Sequence, residues 1–179
     1  MDPIETNRLV LNTFQRGDAP GLYGYLHEPG ASCFLSMKLA DMAAAEAEVE
    51  NRSKKDDYIA VRLKESGDLI GDLFAMPEED TFAVGWNFNG DYGGRGLAFE
   101  AASALFAHLF TAKGARRLYA YVEDNNHRSQ RLCNRLGMRQ EGMFLEYVSF
   151  EKDIHGEPIF ENTMQFALLR KEWAATRQG

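Results

Sequence analysis

The stretch from Glu5 to Leu11, polar as far as Arg8 and apolar from Leu9, reads as a half-buried first strand. Farther along a clear period appears. Leu97, Ala98, Ala101, Ala102, Leu105, Phe106, Leu109 and Phe110 recur at three- and four-residue intervals, so this segment is a helix with one apolar face to lay on a sheet. Between the two, Asp18 and Pro20 suit the start of a short helix carrying Leu22, Tyr23 and Leu26, which ends near Pro29-Gly30. Alanine-rich residues 39–51 predict a second helix. Residues 58–63 and 69–74 read as strands joined by a turn at Glu65-Ser66-Gly67-Asp68, and Glu78-Glu79-Asp80 turns the chain into a further strand at 81–88.

Lys113-Gly114 stops the long helix, and residues 117–122 begin another strand. A helix separates this strand from 81–88, so the crossover makes the two parallel, and a cleft between their ends would admit an extended ligand arm. Asn126 caps a helix that buries Leu132, Cys133 and Leu136, and Gly137 ends it. Residues 147–154 and 159–169 are two final strands around His155-Gly156-Glu157-Pro158. The chain has the length of one domain, 1–179, with no linker or change of composition inside it.

Composition narrows the function classes. Hydrophobic residues at 45% and charged residues at 26% are ordinary for a globular protein, and the formal net charge of -7 argues against nucleic acid, whose binders cluster Lys and Arg. No apolar run reaches membrane-spanning length and the start MDPIETNRL lacks the regions of a signal peptide, so no membrane partner and a cytoplasmic location are expected. Cys33 and Cys133 do not make a disulfide framework. The scattered His27, His108, His127 and His155 show no zinc-ligand spacing, and no metal is expected.

The candidate chemistry lies between strand 81–88 and the long helix. There Asn89-Gly90-Asp91 turns the chain and Tyr92-Gly93-Gly94-Arg95-Gly96 opens the helix. Glycines let backbone N–H groups approach a ligand, and the unpaired donors of a helix start favour phosphate oxygens, so the loop suits a pyrophosphate. The dinucleotide fingerprint fails at Phe99, and no Lys-Ser/Thr pair follows as a nucleotide-hydrolase loop requires. The segment from Asp91 to Ala98 resembles instead the acetyl-CoA loop of the GCN5-related N-acetyltransferases, Gln/Arg-x-x-Gly-x-Gly/Ala, with Asp91 where Gln or Arg is usual. A second element, Asn126 with Ser129, Gly137 and Met138, is similar to that family's Asn-x-x-Ser-x-x-x-Leu-x-x-x-Gly-Phe. The opening Thr6-Asn7-Arg8-Leu9-Val10-Leu11 resembles its ribosomal-protein-acetylating branch.

The resemblance implies a mixed α/β fold: a mostly antiparallel sheet of about seven strands with one splayed parallel pair and about four flanking helices. It implies a cytosolic N-acetyltransferase that moves an acetyl group from acetyl-CoA to a primary amine by direct attack, with no metal. Backbone donors at Gly93, Gly94, Arg95, Gly96, Leu97 and Ala98 would grip the pyrophosphate. Trp86, Asn87 and Phe88 would pair with the pantetheine arm, a backbone N–H near Phe88 would stabilise the oxyanion, and Asn126 and Ser129 would contact the arm. Many relatives carry a tyrosine acid where this chain has Cys133, a residue of the apolar helix stripe; in the ribosomal branch the matching acid is Ser129 and the base Glu146. Arg128, Arg131 and Arg135 share a helix face, to meet the coenzyme's 3'-phosphate or water. The acceptor stays open among protein N-termini, polyamines and aminoglycoside-like amines, and an acidic pocket around Glu78, Glu79, Asp80 and Glu123 would favour the cationic small molecules. Dimers are common among relatives. The alternative is a non-catalytic acyl-CoA-binding sensor or interaction module on the same fold.

Overall fold

The computed structural model describes residues 2–175. Eight strands form one sheet: β1 (Ile4–Glu5), β2 (Leu9–Asn12), β3 (Tyr58–Leu63), β4 (Leu69–Glu78), β5 (Thr81–Phe88), β6 (Arg117–Glu123), β7 (Arg139–Lys152) and β8 (Pro158–Leu169). Their spatial order is β1-β2-β3-β4-β5-β6-β8-β7, so β8 inserts between β6 and the edge strand β7. Every neighbouring pair is antiparallel except β5 and β6. The mixed α/β sheet that the resemblance implies is therefore present, with eight strands for the anticipated seven or so.

The extra strand arises within the stretch 5–11, which reads as a single one. Residues 6–8 form a turn in which Thr6 N–H donates to Leu9 O (3.0 Å) and Leu9 N–H donates to Thr6 Oγ1 (2.9 Å). The last hairpin is also longer than its pattern indicates. β7 starts at Arg139, well before residue 147, but its register with β8 breaks between Gln140 and Gly142, between Phe144 and Val148 and between Ser149 and Glu151. Each break shifts which side chains face the core, and this erases the period of two.

The helices are α1 (Ala19–Leu26), α2 (Met42–Ser53), α3 (Leu97–Thr111), α4 (His127–Arg135) and α5 (Arg170–Ala175). Asp41, whose side chain accepts the Ala44 N–H at 2.9 Å, sets the start of α2 at Met42 rather than residue 39. Asp18 stands at the start of α1 as expected, yet its carboxylate caps nothing there. It accepts from the Gln15 N–H (2.6 Å) and pairs with Arg62.

The sheet separates two cores. On one face α3 buries Leu97, Ala101, Leu105, Phe106 and Leu109 against Leu11, Ile59, Ile70, Leu73, Val84 and Leu118. Each leucine, isoleucine, valine or phenylalanine among them contributes about 1.5–3 kcal/mol on removal from water. On the other face α1 and α2 pack Leu22, Tyr25, Leu26 and Val49 on Ala60 and Leu69. That second core hides a charged group: Arg52 Nη1 lies 3.2 Å from Asp72 Oδ2, its Nε donates to Glu48 (2.7 Å), and Tyr25 Oη donates to Asp72 Oδ1 (2.6 Å). The guanidinium also stacks over Tyr58, 4.7 Å from the ring centroid. Because α1 and α2 cover β3 and β4, the same face of β6, β8 and β7 is left to a short loop helix, Ser32–Met37, and to solvent.

Candidate active site

β5 and β6 are paired through Thr81–Arg117, Phe82–Leu118 and Ala83–Tyr119, and there the pairing stops. Beyond Ala83, β5 continues to Phe88 with β4 as its strand partner; beyond Tyr119, β6 continues to Glu123 with β8 as its partner. The two parallel strands therefore part at their C-terminal ends, where open α/β sheets place ligands. Trp86, Asn87 and Phe88 all lie on the parted stretch of β5.

The glycine loop stands at the mouth of this gap. Gly94 and Gly96 have φ of 73° and 76°, left-handed values that favour glycine. Gly93 N–H donates to Gly90 O (2.9 Å) and Glu100 N–H to Gly96 O (3.1 Å). Between them, the amides of residues 94–99 have no hydrogen-bond acceptor among the described residues. These include Gly94, Arg95, Gly96, Leu97 and Ala98, five of the loop residues expected to face phosphate; Gly93 alone is committed to the turn. A run of unpaired donors at the start of a fifteen-residue helix fits a pyrophosphate. Asp91 is exposed in the preceding 3-10 turn, where its own N–H is held by Asn89 Oδ1 at 2.9 Å.

The loop is braced by the amino-terminal turn. Glu100, in the first turn of α3, accepts from Thr6 Oγ1 (2.6 Å), Arg8 N–H (2.9 Å) and Arg8 Nε (2.7 Å), while Arg8 Nη1 donates to Arg95 O (3.0 Å). Sequence reasoning noticed the Thr-x-Arg opening and the loop separately; their joining through Glu100 needed the fold.

Across the gap, Trp86 Nε1 donates to Ser129 Oγ at 3.1 Å. Two residues expected at the site on separate grounds are thus in contact, one from β5 and one from α4. Asn126 caps α4, its Oδ1 accepting the Ser129 N–H at 3.2 Å, which leaves Nδ2 as its donor. Cys133 is fully buried in the α3 core, and burial pushes its thiol up to about 12, a poor proton donor or nucleophile at neutral pH.

Glu146 lies in the bulge between Phe144 and Val148, with φ of 47°. Its N–H donates to Asn162 Oδ1 (2.9 Å), and Asn162 Nδ2 donates to Asp124 Oδ2 (2.8 Å), so the bulge is tied to the end of β6. The glutamate itself is exposed.

The acidic pocket expected around Glu78, Glu79, Asp80 and Glu123 is not formed. Glu78–Asp80 make the β4–β5 turn beside Arg116, which pairs with Asp80 at 2.5 Å, whereas Glu123 ends β6 at the opposite edge. Six strand residues separate the two ends, roughly 20 Å. Their shared sign in the sequence carried no information about which edge each would occupy.

The three arginines of α4 also divide. Arg135 stacks over Phe99, 4.5 Å from the ring centroid, while Arg128 and Arg131 line a cavity of about 500 Å³ with Ser32, Asn126, Glu151 and Glu161.

Residues 8–139 match the acetyltransferase (GNAT) domain family. The chain is 27% identical over 173 residues to an uncharacterized N-acetyltransferase, YnaD, of Bacillus subtilis, covering 95% of this chain and 98% of that one. Its fold superposes on a GNAT-family acetyltransferase of Bacillus anthracis with a TM-score of 0.84 at 22% identity, covering 94% and 99% of the two chains. It superposes on a ribosomal-protein-S5-alanine acetyltransferase of Vibrio fischeri with a TM-score of 0.73 at 16% identity, covering 97% and 99%. With most of its length inside the matched domain, and with parted strands and an amide-lined helix mouth, the chain belongs to the GNAT acetyltransferase family.

Proposed function

We propose that the protein transfers an acetyl group from acetyl-CoA to a primary amine. The observation that carries this reading is the set of unpaired amides over residues 94–99, placed where β5 and β6 separate. Those amides would hold the pyrophosphate, and the helix dipole adds to their attraction for its charge. The open edge of β5 at Trp86, Asn87 and Phe88 would pair with the pantetheine arm, and Asn126 Nδ2 would donate to it. Bound acetyl-CoA supplies the activated thioester.

Proton work falls to side chains on either side of the gap. Because Ser129 Oγ accepts from the Trp86 indole, its own hydrogen is left to donate, and Ser129 would protonate the departing thiolate. Buried Cys133 is unsuited to that task. Glu146 would take the proton of the amine from the acceptor side.

Thermal melting with acetyl-CoA, then release of CoA with a panel of amines, tests the reading. Ligand at about a hundred times its dissociation constant adds ~2.7 kcal/mol of stability. An unchanged melting curve overturns it; binding without turnover on any amine would favour a non-catalytic acyl-CoA module. Ser129→Ala and Glu146→Gln should lower kcat with little change in coenzyme affinity, and full turnover in both removes those assignments.

A further inference from the structure

Registers across β6, β8 and β7 set Glu123 opposite Thr163, and Thr163 opposite Phe144. Directly opposed residues of antiparallel strands project from one face. Two residues back, Tyr121 lies opposite Gln165, whose Nε2 donates to Tyr121 Oη at 3.4 Å. The alternate residues of β6, Leu118, Ala120 and Val122, belong to the α3 core, so this polar and aromatic set occupies the other face, at the end where β6 leaves β5.

Two features of the set ask for a ligand. Glu123, whose carboxylate accepts from the Cys33 thiol, is 6% exposed, and Thr163 is 2% exposed with its Oγ1 lacking any hydrogen-bond partner among the described residues. A buried hydroxyl without a partner is uncommon, because its lost hydration goes uncompensated. Beside it three aromatic rings stand open to solvent: Tyr147 lies 5.0 Å from Phe144 and 6.2 Å from Tyr121, centroid to centroid, and the three are 39–56% exposed. Such rings pack a flat apolar group and attract a cation over their faces.

We propose that this face is the acceptor subsite and takes a primary ammonium carried next to an aromatic group, the ammonium on Glu123 and Thr163 and the ring among Tyr121, Phe144 and Tyr147. The proposal rests on the acetyl transfer proposed above and names its acceptor class. A polyamine would need further carboxylates for its other charges. Of the nearby acids, Glu161 accepts from Ser32 Oγ (2.8 Å) and Asn125 Nδ2 (3.3 Å) and Asp124 accepts from Asn162, which leaves Glu151 and Glu146, the latter assigned above to the amine proton.

Titration calorimetry of the full-length protein compares three probes: 2-phenylethylamine, a tripeptide amide beginning with Phe, and spermidine. The aromatic amines should bind more tightly than spermidine, and the better of the first two identifies a free amine or a protein N-terminus as the source. Glu123→Gln should weaken 2-phenylethylamine by about tenfold or more, as expected when a charge-assisted contact is removed. Tyr147→Ala should weaken it while leaving spermidine unchanged. Tighter binding of spermidine, or undiminished aromatic-amine binding by both variants, overturns the proposal. Because these readouts need no coenzyme, their failure alongside a normal acetyl-CoA melting shift condemns the acceptor assignment alone, whereas an absent shift condemns the transferase reading itself.

Discussion

Arg8 and Glu100, 92 residues apart in the chain, form an ion pair of 2.6 Å that ties the amino-terminal turn to the first turn of α3. From that position Arg8 Nη1 also donates to the Arg95 carbonyl in the middle of the loop, whose amides from residue 94 to 99 have no acceptor among the described residues. The pair is partly exposed, 43% and 18% at its two side chains, so its direct contribution to stability is small, about 0–1 kcal/mol. Its effect lies in the placement of the loop.

Arg8→Ala should therefore leave the melting temperature nearly unchanged and weaken CoA binding by about fivefold, the equivalent of about 1 kcal/mol of lost bracing. Calorimetric titration with CoA measures it. Glu100→Gln should do the same with a smaller effect, because it retains acceptors for Thr6 and the Arg8 amide.

Gly96→Ala places a side chain at a φ of 76°. A left-handed backbone costs a non-glycine residue about 1–2 kcal/mol, so denaturant unfolding should show a loss of that size. CoA binding should fall further than stability does, since the strained loop relaxes by turning its donors away.

Within the second core, Arg52→Met leaves the Asp72 carboxylate buried without its cation. Removing one partner of a buried pair costs about 3–5 kcal/mol, and the midpoint of urea unfolding should drop accordingly. Asp72→Asn combined with Arg52→Met should recover part of the loss, because no unpaired charge then remains.

Glu123 gives a pH-dependent signature of the opposite sign. Burial first, then the neighbouring Glu161 and Asp124, push its carboxyl above the ordinary glutamate range, against the hydrogen bond from Cys33 that favours the anion. A native state with the higher value holds its proton more tightly than the unfolded chain. Stability from this group is therefore full below the unfolded value and declines as pH rises from there through the folded value. Glu123→Gln should melt higher than the parent at neutral pH, with the gap closing in mild acid. Melting curves across that range read it directly, and a variant less stable at neutral pH would contradict the sign.

What the sequence disclosed and what it withheld divide along physical lines. The helix from Leu97 and the loop before it were legible because a period of 3.6 and a glycine pair are local signals. The parallel crossover from β5 to β6 followed from the helix between them. Residues 6–8 read as strand because they lead straight into apolar Leu9-Val10-Leu11, whereas in the fold Thr6 and Arg8 turn to Glu100, a partner 92 or more residues away that no local pattern reveals. Glu78–Asp80 and Glu123 were grouped by charge alone, and only strand direction sorts them to opposite edges. The Glu123–Thr163–Phe144 row depends on β8 lying between β6 and β7, an order that no local pattern encodes.

Three residue pairs join β5 to β6, and elsewhere each strand's partners lie on its own side. The sheet is thereby two plates sharing one short ladder, β1 to β5 and β6, β8 and β7, with α3 packed across both on one face. A slight tilt about that ladder changes the width of the slit while every other ladder stays intact, so an extended guest that bonds to both rims acts as a rivet. Slower amide exchange spreading along the inner rims of both plates would be its mechanical imprint.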